Sequence, residues 1–182
     1  EIPVYFNQET YNSCKFECRK VKFFNNQSIL KFNGSSIIPI KTSHDAVNSC
    51  GFIFKNSSKQ MGIFTDLGEV TSNISKYISK MDALILEANH DVDMLLNGRY
   101  PYFLKQRILS KDGHLSNIDA GLCVRENATR RLKKVFLAHL SENNNKPDLA
   151  YKTFTKIVKE NKNLNFKTIL TDQNKSTELE KI

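Results

Sequence analysis

Short runs of apolar and β-branched residues, separated by polar turns, dominate the first third of the chain, and a mixed pattern follows. EIPVYF (1–6) reads as a strand, 9–18 as a helix or turn, and RKVKFF (19–24) and ILKFN (29–33) as strands parted by an NNQS turn. SIIPIK (36–41) is another strand, its Pro39 predicting an edge or a bend because proline cannot donate to a ladder. GFIFKN and KQMGIFTD, parted by NSSK, read as a hairpin. After Gly68, Ser72 or Asn73 starts a helix that turns Ile74, Tyr77, Ile78 and Met81 to one side. ALILEA (83–88) is a continuous apolar run, which predicts a strand covered on both faces.

Residues 91–109 predict two short helices around the RYP break, with Met94, Leu95 and Leu96 turned inward. Ser116 is placed to cap a helix running to about Asn127. KVFLAH (134–139) is a strand, Pro147 opens a helix to about Glu160, and FKTILT (166–171) is a last strand. The tail from Asp172 is polar and predicted to fray. Strands alternating with helices define an α/β (α+β layered) class, read as one unit over 1–171 followed by the 172–182 tail.

The 182 residues are 40% hydrophobic and 25% charged, which excludes a disordered chain. No apolar run approaches the roughly 18 residues of a spanning helix, and no leader opens the chain, so the expectation is a cytoplasmic protein without membrane contact. Cys14 and Cys18 of CKFEC could share a metal, but no second pair matches their spacing; reduced cysteines in the cytosol are the stronger reading of all four. A net charge of +8 suits a polyanionic partner such as nucleic acid. An Asn- and Lys-rich composition would give the same charge without one.

Three widely separated residues carry the candidate chemistry: His44 in SHDA, Asp66 in FTDLG and His139 in LAHLS. Each lies in or just after an apolar run, so neighbouring strand ends can bring them together, and His, Asp, His is a metal-ligand set. All four histidines, including His90 in ANHD and His114 in GHLSN, stand beside small or acidic residues at strand ends or turns, where pocket residues gather. A lone histidine is more often structural. Asp45, next to His44, reads as a turn residue and stays outside the metal set.

In order and spacing, TDLG, LEANHD, GRYP, GHLSN and LAHLSENNN resemble the YycJ/WalJ-like subgroup of the metallo-β-lactamase superfamily, over nearly the whole chain. The resemblance implies an αβ/βα sandwich with two divalent metal ions at one edge, Zn²⁺ by default and Mn²⁺ as an alternative. It implies His44 on the first metal, Asp66 bridging, and His139 on the second, with a metal-bridging hydroxide as nucleophile. His114 would contact the scissile phosphate or assist the leaving group, with Asp66 and His114 as the catalytic pair. His90, Ser116, Asn117 and Arg99 are the candidate substrate- or phosphate-binding residues, and Glu87 would orient a histidine. The superfamily's HxHxDH loop is not found here, so the expectation is an N-terminally incomplete domain that is poorly active alone. The activity implied is that of a phosphodiesterase or DNA exonuclease. A thioester or lactam hydrolase of the same fold, or a catalytically dead nucleic-acid- or partner-binding domain, are the alternatives.

Overall fold

A computed structural model describes residues 2–14 and 17–182. Its framework is a seven-stranded sheet in the order β3(Leu30–Phe32), β4(Ser35–Lys41), β5(Cys50–Lys55), β6(Gln60–Phe64), β7(Ala83–Glu87), β8(Lys134–Ala138), β9(Lys167–Leu170). The first three pairings are antiparallel and the last three parallel. A two-stranded parallel sheet joins β1(Val4–Phe6) to β2(Val21–Phe23), with α1(Gln8–Ser13) between them. The strands on either side of the NNQS turn therefore enter different sheets, and that turn closes no hairpin. The CKFEC segment spans Lys15 and Phe16, which lie outside the described residues.

The parallel half of the sheet needs crossovers, and helices provide them. α2(Ser72–Ile78) links β6 to β7, with Thr71 as its cap, and buries Ile74 and Ile78. α3(Val92–Asn97), α4(Tyr102–Leu109) and α5(Asn117–Asn127) lie between β7 and β8, and α6(Pro147–Val158) leads to β9. Leu95 is buried and Leu96 is exposed, so α3 turns only part of the expected apolar trio inward. α5 and α6 approach closely at Gly121, where a Cβ would stand 3.0 Å from the Ile157 Cβ.

Register explains which face these helices cover. Ile53, Gly62, Leu84 and Val135 lie across one another, as do Phe64, Leu86 and Leu137, and these seven are buried. With Ile74, Val124 and Phe154 they form the core. The opposite face carries Phe52, Ile63, Ile85, Phe136 and Ile169 in one row, and these are only half-buried. At one end Phe24 covers Phe52 edge-to-face, its ring 6.2 Å away.

Pro39 is buried, and β4 is an interior strand rather than an edge. The ladder tolerates it because β3 pairs with β4 only through Ile37. The Pro39 carbonyl accepts the Gln27 amide at 2.7 Å on that side, so the missing N–H faces a loop rather than β5.

The tail is largely exposed but touches the sheet near its end. Glu180 pairs with Lys134 and Lys167, which share the half-buried face of β8 and β9.

Candidate metal centre

β4 runs in the same direction as β6, β7 and β8, because two antiparallel pairings restore its sense. His44 follows β4, Asp66 follows β6, Glu87 ends β7 and His139 follows β8, so all four emerge at one edge of the sheet. Carboxyl ends of parallel strands are where open α/β sheets gather ligand-binding residues.

His44 Nε2 stands 3.5 Å and His139 Nε2 3.7 Å from Asp66 Oδ1. His114 comes from the loop before α5 and lies between the two rings, 4.9 Å from His44 and 5.3 Å from His139 by centroid. One ligand atom each from Asp66, Glu87, His114 and His139 falls within a 4.8 Å group able to hold a metal ion. The sequence had set His114 apart for phosphate; the fold places it among the metal-type donors. Cys14 and Cys18 have no part in that group.

Glu87 is the one member of the group whose oxygens are already occupied. The side chain is fully buried. Oε2 accepts the Asp66 amide at 2.7 Å, His139 Nδ1 at 2.8 Å and His114 Nδ1 at 3.2 Å, and Oε1 accepts the Leu115 amide at 2.7 Å. Burial alone would raise the Glu87 carboxyl pKa; the His114 and His139 hydrogen bonds outweigh it and hold the group below the usual carboxylate range. A carboxylate can only accept, so both imidazoles carry a proton on Nδ1, and in the neutral form each presents its Nε2 lone pair. His44 reaches the same state by donating Nδ1–H to the Gly113 carbonyl at 3.0 Å. Three Nε2 lone pairs and the Asp66 carboxylate therefore remain as the available donors.

Backbone conformation aims two of these donors. Asp66 and His139 both sit in the left-handed region, at φ 53 and 58. Such conformations in non-glycine residues cluster at functional sites. The His44 loop is fixed by Ser43, whose carbonyl accepts the Gly68 amide at 2.7 Å and whose hydroxyl donates to the Lys111 carbonyl at 2.8 Å. Gly68 must be glycine for that approach, since a Cβ there would meet the Lys111 oxygen at 2.2 Å.

His44, His114 and His139 line a cavity of about 710 Å³ bounded also by Tyr100, Leu104, Arg107, Ile108 and Ser141. Thr171, at the end of the last expected strand, and Asp172 and Gln173, at the start of the expected tail, form part of its wall. Asp45 lines it as well, with its carboxylate gripped by both Nε and Nη2 of Arg107. That grip holds the Asp45 carboxyl below its usual range.

The residues expected to bind phosphate are placed differently. His90 is buried, and its two ring nitrogens have no hydrogen-bond partner among the described residues. Ser116 spends its hydroxyl on α5: it accepts the Asp119 amide at 3.1 Å while the Asp119 carboxylate reaches back to the Ser116 amide. Asn117 is buried against Asn145 at 2.9 Å. Asn145 also donates to the Ala88 and Asn89 carbonyls, pinning the loop after β7. Arg99 is exposed and outside the cavity lining. Arg107, Asn89 and Asp45, the last of these expected only as a turn residue, line it without any motif to mark them, whereas the cap expected at Ser116 is present.

The sheet and its covering helices have the metallo-β-lactamase fold. YhfI of Bacillus subtilis, a metallo-β-lactamase fold protein, superposes at TM-score 0.64 with 17% identity, over 93% of this chain and 61% of that one. A possible metal-dependent hydrolase from Veillonella parvula superposes at 0.60 with 16% identity, over 98% and 67%. In sequence, the chain is similar to the exodeoxyribonuclease YycJ of Bacillus anthracis, 34% identical over 165 residues, covering 88% of this chain and 62% of the relative. It is similar to the exodeoxyribonuclease WalJ of Streptococcus pneumoniae, 38% identical over 138 residues, covering 76% and 48%. The chain thus spans 62% and 48% of the lengths of these curated relatives. No family model matches it. No helix among the described residues is long and apolar enough to cross a membrane.

Proposed function

We propose that this chain carries part of the active site of a metal-dependent phosphodiesterase acting on DNA, of the exodeoxyribonuclease kind. The observation that carries the reading is the approach of the His44 and His139 Nε2 atoms to the Asp66 carboxylate, with the His114 ring between the two imidazoles and with Glu87 and the Gly113 carbonyl holding the Nδ1 atoms from beneath. The similarity to YycJ and WalJ supports the substrate class, and the +8 charge favours a polyanion.

Three imidazoles and one carboxylate fit the nitrogen and oxygen donors of one divalent cation, Zn²⁺ or Mn²⁺. Asp66, His114 and His139, which belong to one compact donor group, would hold it, with His44 beside Asp66 as a further donor outside that group. The ion would supply an acidified water and polarise the phosphoryl group. Two ions share too few donors in this set, so the second implied by the resemblance needs ligands from elsewhere. The chain's own contribution is orientation. Glu87 and the Gly113 carbonyl keep each Nδ1 protonated, and the Arg107–Asp45 pair gives one cavity wall a fixed, nearly neutral polar surface. The four free cysteines support a reducing, cytoplasmic setting.

The test is release of nucleotides from DNA ends by the chain and by a protein of its relatives' full length, with Mn²⁺ or Zn²⁺ and with EDTA. Metal-dependent release that Asp66→Ala abolishes supports the reading. Equal release by the Asp66→Ala variant removes the cavity from the reaction.

A further inference from the structure

We propose that the strand enters the cavity single-stranded along α4, with Phe103 as a stacking platform for an unpaired base at the rim. This rests on the phosphodiester reading of the cavity and specifies the form of its substrate.

α4 turns Leu104, Arg107 and Ile108 into the cavity wall, an i, i+3, i+4 stripe. Phe103 lies one step round the helix from Leu104 and four residues before Arg107, so it stands on the flank of that stripe, at the rim. Phe103 is 73% exposed, and its neighbour Tyr102, further round the helix, is 77% exposed. Neither belongs to the buried apolar core or to the residues packed against it. Tyr100 continues the track inward: it lines the cavity, and its hydroxyl accepts from Asn143 Nδ2 at 3.2 Å.

Charge selects the occupant. Residues 99–111 hold Arg99, Lys105, Arg107 and Lys111 and no acidic residue. Arg107 is answered by Asp45 and Lys105 donates to the Leu96 carbonyl, so the segment keeps a net positive charge outside the cavity lining, carried by Arg99, Lys105 and Lys111. Cations interleaved with exposed aromatics are the pattern of single-strand binding, in which bases stack while the backbone follows positive charge. Size argues the same way. The histidines line a cavity of about 710 Å³, which has room for a nucleotide or two. A terminal nucleotide that reaches them has left its complement and its stacking neighbour, and Phe103 offers the replacement face.

The test is fluorescence anisotropy of labelled oligothymidylate and of a blunt duplex of equal length against the chain, in EDTA so that binding is read without hydrolysis. The expected result is tighter binding of the single strand, weakened roughly tenfold by Phe103→Ala and retained by Phe103→Tyr. The melting temperature of each variant checks that it is folded, as substitution at an exposed ring predicts. Unchanged affinity in Phe103→Ala, a preference for duplex, or an equal loss on both probes overturns the platform. Failure of the hydrolytic reading looks different: no metal-dependent release from DNA, while single-strand binding still depends on Phe103.

Discussion

Glu87 Oε2 and His139 Nδ1 lie 2.8 Å apart, a buried carboxylate beneath an imidazole whose other nitrogen faces Asp66. The same oxygen receives the Asp66 amide and His114. A hydrogen-bonded carboxylate at this post makes the imidazole more basic and fixes its direction, and loss of such a partner costs about 10–100-fold in metal affinity. Glu87→Gln presents an amide NH₂ to groups that are themselves donors. Calorimetric titration with Zn²⁺ is expected to show weaker binding in this range, and equal affinity in the variant would assign Glu87 to folding alone.

Asp66 occupies a left-handed conformation with a part-exposed side chain. Asparagine tolerates that conformation and a β-branched residue does not. Asp66→Asn is expected to melt near the wild-type temperature while losing metal binding. Asp66→Val is expected to lose about 1–2 kcal/mol in addition, from the backbone. Urea denaturation of the two variants separates the effects.

Gly68 is fixed by proximity. A Cβ there would stand 2.2 Å from the Lys111 carbonyl and 2.6 Å from the Gly113 amide, in the turn whose Gly113 carbonyl accepts from His44. Gly68→Ala is expected to cost about 1–3 kcal/mol as overpacking, and to weaken metal binding as His44 shifts. Matching urea midpoints for variant and wild type would contradict this contact.

His90 sets a pH dependence. Burial holds its imidazole below the usual histidine range, so the folded chain keeps it neutral. The unfolded chain takes up that proton near pH ~6.5. Its contribution to stability is therefore complete above that pH and declines as pH falls from there toward the depressed folded value. His139 pulls the other way, raised first by its Glu87 hydrogen bond, so the readout is the difference between wild type and His90→Gln. The variant's denaturation midpoint is expected to fall less between pH 7.5 and pH 5.5, values chosen to bracket the range of about pH 6.5. Parallel curves would contradict it.

Much of this architecture is legible in sequence because the physics is local. Alternation marks β5 and β6, helical spacing marks α2, Pro147 and Ser116 mark helix starts, and the apolar runs leading to Asp66 and His139 mark strand ends. What the sequence could not assign is direction. SHDA does not reveal that Asp45 turns to Arg107, 62 residues away. ANHD and GHLSN read as four polar candidates, yet one loop turns His114 into the cavity and its next residues, Ser116 and Asn117, into hydrogen bonds that hold the loop itself. The β1–β2 pairing escaped because both strands are three residues long and largely exposed, without a buried side to set a pattern.

The one-sided cover of the sheet gives ionic strength two opposite effects on this chain. Phe52, Ile63, Ile85, Phe136 and Ile169 form a half-buried apolar row on a molecule of net charge +8. Mutual repulsion keeps copies apart in dilute salt. Raising the salt screens that repulsion, to a range of about 10 Å at 0.1 M, so apolar contact between copies strengthens while attraction to a phosphate backbone weakens. Salt titrations will therefore move solubility and nucleic-acid affinity together, both downward, for reasons that sit on different faces of the fold.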